Sequence, residues 1–308
     1  MRTPSALLHR ADEALARPVS VRSIALVRLL VGAVGVLHLV PVTIDAIRGD
    51  TFHGRFRQPY VSWYPELDPT SYAVLLVAGV VAAAAMSIGI ATRVATTTAT
   101  AVVGYHLFLS TTHVHNNRAY LFAALLILAM SRCGHAISID AWRARRAGAP
   151  LDPDAPAWPI WLLRFECATV YGASGLSKLI DPDWFGGTVT WARVVSQEAM
   201  VRGSVLPDVF VDLLLDRSFH TFAAKFVVLT ELFIAGGLWW RRTRPWAVAA
   251  AVVFHVMIEF SAQVQVFSYL GLAVLVIWAP PSLRTDRWRM FHNRRMPSAP
   301  TPVGAPTP

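Results

Sequence analysis

Residues 158–187 read WPIWLLRFECATVYGASGLSKLIDPDWFGG. The run from Trp158 to Lys178 is apolar and about 20 residues long, which is what a helix needs to cross about 30 Å of hydrocarbon. An acidic turn containing Pro182, Gly186 and Gly187 follows at once and ends it. Lys178, one of only two lysines in the chain, therefore stands at a membrane edge. Two readings of it stay open. Desolvation near hydrocarbon disfavours the ammonium and opens a neutral amine that can act as a base. Alternatively, the long side chain snorkels to the interface and anchors its helix.

Working outward from that helix, the composition makes it one of many. Hydrophobic residues make up 55% of the 308, charged residues only 15%, and mean hydropathy is +0.46; a soluble domain carries about 25% charge. The expected fold is an all-α, polytopic integral membrane bundle with about eight transmembrane helices. Spans are expected at 23–44, 71–91, 94–110, 119–131, 158–178, 221–240, 245–261 and 264–280. Residues 1–22 are a basic lead-in, 23–282 the membrane domain, and 283–308 a basic, then Pro-rich tail read as disordered. No small-residue cleavage site follows the first span, so it is expected to be retained as an anchor.

The net charge of +9 does not imply nucleic acid, because the basic residues fall between apolar segments rather than on one face. They orient the protein instead. Seventeen lie on the side of the termini and seven opposite, which predicts cytoplasmic termini in the cell membrane. Lys178, the turn at 181–187 and the long connections 45–70 and 179–220 then face outward and can cap a site there. Cys133 and Cys167 are too few and too far apart for a disulfide framework or a CxxC site. Gly32, Gly35, Gly89, Gly172 and Gly175 suit close helix packing.

Several polar constellations interrupt the apolar pattern. His113-Val114-His115-Asn116-Asn117-Arg118 precedes the fourth span. Its amides and guanidinium supply donors for a carbonyl, phenolate or carboxylate, or else cap a helix at the headgroups. Two histidines two residues apart, without a carboxylate, do not make a zinc set, and no metal is expected. His38, His106 and His255 lie inside spans, where paired histidines can ligate haem or simply hydrogen-bond between helices. His255 and Glu259 are one turn apart, with Gln263, Gln265 and Ser268 following. They can line a cavity, pair with each other, or pair with Arg164 and Glu166. Glu231 and Lys225 share the sixth span but are not spaced to meet each other.

The ordered series VRLLVGAVGVLHL, SIGIATRV, HNNRAYLF, SRCGHAISIDAWRARR, the 158–187 stretch and FHVMIEFSAQVQVFSYLG resembles the membrane part of vitamin K-dependent gamma-glutamyl carboxylase and the bacterial HTTM proteins related to it. The resemblance covers roughly residues 23–278. It is most specific from Asn116 to Gly187, where NN, YL, the His135/Ser138/Asp140 group, the basic run, the lysine and DW-x-G occur in the family's order.

The resemblance implies a general base at Lys178 acting on a reduced menaquinone or vitamin K-type quinol, with His255, Asn116 and Asn117 orienting the ring oxygens. Arg118 would steady an anion, and Asp181 and Trp184 would bound the pocket. The implied chemistry is carboxylase-like carbon–carbon bond formation, or quinol-dependent monooxygenation or epoxidation. Two departures stand out. Arg118 occupies the place of a carboxylase histidine and cannot exchange protons, and no counterpart of the large lumenal domain is expected in this sequence. Two other classes follow from the same residues: a non-enzymatic module binding a lipid, quinone or protein partner, and a solute carrier. His135, Ser138 and Asp140 read as a cytoplasmic turn and helix cap.

Overall fold

The computed structural model describes residues 4–49, 58–261 and 266–278. Gln263, Gln265 and the tail at 283–308, named above from sequence, lie outside the described residues. In chain order the elements are α1 (Pro4–Ala16), β1 (Pro18–Ser20), α2 (Arg22–Ile47), α3 (Pro69–Ile88), α4 (Thr92–Leu109), α5 (Asn116–Ala129) and α6 (Ile139–Arg146). They continue with β2 (Asp154–Pro156), α7 (Trp158–Ile180), α8 (Pro182–Phe185), α9 (Thr188–Val195), α10 (Glu198–Arg202), α11 (Asp208–Leu215), α12 (Arg217–Gly237), α13 (Arg244–Ser261) and α14 (Phe267–Leu275).

The fold is all-α apart from one antiparallel ribbon in which Val19 faces Ala155, tying the lead-in of α2 to that of α7. Each apolar segment read from the sequence is a helix. Among the described residues three, Arg22–Ile47, Pro69–Ile88 and Arg217–Gly237, are long and apolar enough to cross a membrane. Asn116–Ala129 and Phe267–Trp278 are apolar but shorter, and α7 carries Arg164, Glu166 and Lys178 along its length. The 179–220 connection is folded rather than open loop, since α8 to α11 occupy most of it.

Local sequence sets the ends of these helices. Asp68 accepts from the amides of Thr70 and Ser71 ahead of Pro69, and Asp181 does the same for Asp183 and Trp184 ahead of Pro182. Both are an acidic N-cap followed by proline at the position whose N–H has no helical partner.

Packing is inside out by the standard of a water-soluble bundle. On α12, Phe222 and Phe226 are 70% and 62% exposed, while Ala224, Val228, Glu231 and Ile234 are buried. A helix in water would turn the phenylalanines inward; hydrocarbon solvates them, leaving small and polar residues for helix–helix contact. Helix α2 lies at the centre, packed on α3, α5 and α14.

At the junction of α3 and α4 the chain is clamped by a buried arginine and a partly buried aspartate. Arg28 donates to the carbonyls of Met86 (2.6 Å) and Ile137 (2.5 Å). Asp140 accepts from the amides of Ala91 (3.0 Å) and Thr92 (2.7 Å) and from the Thr92 hydroxyl (2.7 Å). Partial burial works to raise the Asp140 carboxyl, but the Thr92 and Ala91 hydrogen bonds, with the charge of Arg143, outweigh it and hold it below the usual carboxylate range. These bonds also hold Ala91 and Ile137 in the left-handed region, at φ 43° and 47°, which costs a non-glycine residue roughly 1 kcal/mol or more. Ser138 caps α6 by accepting from the Ala141 amide. The SIGIATRV and SRCGHAISID segments are thus halves of one structural joint.

Candidate functional site

Side chains on a helix lean toward its N-terminus, so Lys178, two residues from the end of α7, folds back along the helix. Its Nζ donates to Ser174 Oγ (2.8 Å) and to both oxygens of Glu231 on α12 (2.7 and 2.8 Å). Ser174 in turn donates to Glu231 Oε1 at 2.9 Å. All three protons of an ammonium are placed, and the carboxylate accepts three hydrogen bonds. The Lys178 side chain is 15% exposed and that of Glu231 only 1%. Lys178 is therefore not a lone desolvated amine but half of a buried ion pair. Contact this close requires a small residue between the helices: a Cβ on Gly175 would meet Leu232 at 3.0 Å and Glu231 Cβ at 3.3 Å.

The DPDWFGG turn closes over the pair. Trp184 lies with its ring centroid 4.9 Å from Lys178 Nζ, and Phe185 5.3 Å from Lys225 Nζ, so both lysines of the chain sit on successive aromatic faces. Gly187, at φ 81°, lets the turn rest on the start of α12, where any Cβ would strike the backbone of His220 and Thr221. The Thr221 hydroxyl donates to Gly186 O at 2.9 Å and fixes it there. Asp181 is spent as the cap of α8; Lys178, Asp181 and Trp184 are brought together as the sequence proposed.

His255 enters the same row through a residue the sequence did not single out. Its Nε2 is 2.6 Å from Tyr171 Oη, and Tyr171, Ser174 and Lys178 fall at i, i+3 and i+7 on one face of α7. His255 Nδ1 is buried without a hydrogen-bond partner. Glu259 accepts from Tyr269 (3.0 Å) rather than pairing with His255.

The segment at 113–118 divides. Asn117 is buried and one turn from Tyr120, whose side chain lies within electrostatic reach of Cys167 and Tyr171 on α7. Asn116 is exposed. Arg118 turns elsewhere, donating to His113 O at 2.9 Å among His38, Tyr72 and His106, which its charge reaches. In that group Tyr72 Oη is 2.6 Å from His106 Nδ1, and the rings of His106 and His113 stack at 4.4 Å.

Sequence reasoning thus missed Glu231, Ser174 and Tyr171. The signal was present for Glu231, since an acidic residue inside a span needs a buried partner. Nothing local indicated that the partner lay 53 positions away.

A family model described as HTTM domain matches residues 16–282. No curated protein and no solved structure matches the chain.

Proposed function

The chain belongs to the HTTM-domain family, and from that premise we propose that it is a quinol-linked membrane enzyme whose proton-handling centre is the Lys178–Glu231–Ser174 cluster. In this reading the protein crosses the cell membrane about eight times with both termini cytoplasmic, and the cluster faces outward beneath Trp184. One observation carries it: an ammonium and a carboxylate, hydrogen-bonded at 2.7 Å, lie buried inside an apolar bundle under an aromatic cover.

The residues fit a hydroxylated aromatic ring. Trp184 offers a face for stacking, buried Asn117 an amide for a ring oxygen, and Lys178 a donor that can become an acceptor. A reduced quinol of the menaquinone or vitamin K type would supply an acidic hydroxyl and reducing equivalents. Lys178 takes up a proton at Nζ only as it releases one to a Glu231 oxygen, because its lone pair is otherwise occupied. The relay leaves Lys178 cationic beside the anion it has helped to form, where electrostatic stabilisation is strongest in a water-poor site. His255, locked by Tyr171, positions the neighbouring wall.

The same ion pair favours a second reading, in which Lys178 and Glu231 only lock α7 to α12 and the cavity binds a lipid, quinone or partner without turnover. Mass spectrometry of lipophilic molecules co-purifying in mild detergent, followed by oxygen uptake with reduced menaquinone, separates the two. The enzyme reading expects a quinone on the wild type, and oxygen uptake that vanishes in Lys178→Met/Glu231→Leu while the fold survives. A bound quinone with no uptake leaves the binding module. If no quinone is retained, even after incubation with the reduced form, the quinol-linked reading is wrong.

A further inference from the structure

We propose that a groove between α4 and α5, apart from the Lys178 cluster, binds one aliphatic lipid chain whose negatively charged headgroup is held by Arg118. The groove has a volume of about 520 Å³, and Thr97, Ala101 and Gly104 of α4 and Phe122, Leu126 and Ala129 of α5 line it. From Thr97 to Phe108 it follows α4 for eleven residues, about 16 Å at 1.5 Å per residue. That is the depth of one leaflet, half of a hydrocarbon core about 30 Å thick. A Cβ on Gly104 would strike the Phe122 ring, so the glycine lets that ring lie across the helix contact and shape the groove.

The groove is mostly apolar, and a cation stands one helical turn before Phe122 at its end. Arg118, Phe122, Leu126 and Ala129 recur at helical spacing on one side of α5, which puts Arg118 at the end where Tyr105 and Phe108 close the groove. The Arg118 guanidinium makes one hydrogen bond, to His113 O; its Nε is buried with no partner. No Asp or Glu among the described residues pairs with it. A partly buried cation without a counter-charge is costly. Tyr72 Oη pairs with His106 Nδ1, while Nε2 of His106 and Nε2 of His38 are buried without a hydrogen-bond partner. Both histidines are nine-tenths buried or more, at 4% and 5% exposure. A permanent positive charge without a carboxylate partner, one helical turn from a mostly apolar groove about one leaflet long, fits an amphiphile with an anionic head.

Such a head can be the phosphate of a phospholipid or the carboxylate of a free fatty acid. The protein is placed in nanodiscs of equimolar phosphatidylcholine and phosphatidylglycerol, with and without oleate, and the lipids it retains are counted by native mass spectrometry. One anionic lipid should be retained about tenfold over phosphatidylcholine, the factor expected for a buried charge-assisted contact. Phosphatidylglycerol resisting oleate identifies the phosphate source; displacement by oleate identifies the carboxylate.

Arg118→Gln should bring retention to parity, and Arg118→Lys should preserve part of the preference. Ala101→Phe, which fills the groove from its open side and leaves Arg118 in place, should lower retention of the anionic lipid about as much. Equal retention of neutral and anionic lipid by the wild type overturns the proposal. So does an undiminished preference in Arg118→Gln or in Ala101→Phe.

Discussion

Replacing Lys178 by Met strands the Glu231 carboxylate, whose side chain is 1% exposed, with only the Ser174 hydroxyl as a partner. Breaking a buried ion pair from one side costs about 3–5 kcal/mol, because the remaining charge is left uncompensated. The reverse change, Glu231→Leu, leaves an ammonium that is already 15% exposed near a helix end and can turn toward water, so it should cost less, about 1–2 kcal/mol. Replacing both residues removes both desolvation penalties along with the attraction, and an apolar pair of similar volume is often neutral. The double variant Lys178→Met/Glu231→Leu should therefore cost no more than about 1 kcal/mol, giving a coupling of about 3–6 kcal/mol in a double-mutant cycle.

The protein carries its own reporter for the measurement, since Cys133 and Cys167 are free and buried and react with a thiol-activated fluorophore only on unfolding. At roughly 2–4 °C per kcal/mol, the Lys178→Met melting point should fall by roughly 6–20 °C and the double variant should return to within a few degrees of wild type. A double variant no more stable than Lys178→Met would refute the pairing and, with it, the relay through Glu231.

Two further outcomes follow from the geometry. Tyr171→Phe removes the hydroxyl 2.6 Å from His255 Nε2 and leaves both ring nitrogens buried without partners. It should cost about 1–3 kcal/mol in the same thiol assay, and an unchanged melting point would show that His255 is satisfied otherwise. Asp140 has a carboxyl held below its usual range, so its stabilising contribution is fully present above the unfolded value of about 3.9 and is lost as pH falls through the lower folded value. The stability difference between wild type and Asp140→Asn should be constant from about pH 5 upward and shrink below about pH 4. A difference that grows on acidification would contradict the sign.

Much of the architecture was legible in the sequence because its causes are local. The lengths of the apolar runs, the Asp-Pro caps at 68–69 and 181–182 and the glycines that end helices act within a few residues of themselves, and they placed the helices to within a few positions. Lys178, Asp181 and Trp184 lie close for the same reason, within a stretch of seven residues on one helix end and its turn. What the sequence did not contain was the choice of partner. Glu231 and Tyr171 acquire meaning only when α12 and α13 dock on one face of α7, and Arg118 parts from Asn117 because adjacent positions on α5 point about 100° apart, into different neighbours. Hydropathy and periodicity determined that this chain is a helical membrane protein with a lysine at the end of one helix. Tertiary structure alone decided that the lysine is an ion pair and that the arginine stands elsewhere, because which helix faces meet is a property of contacts between segments far apart in the chain.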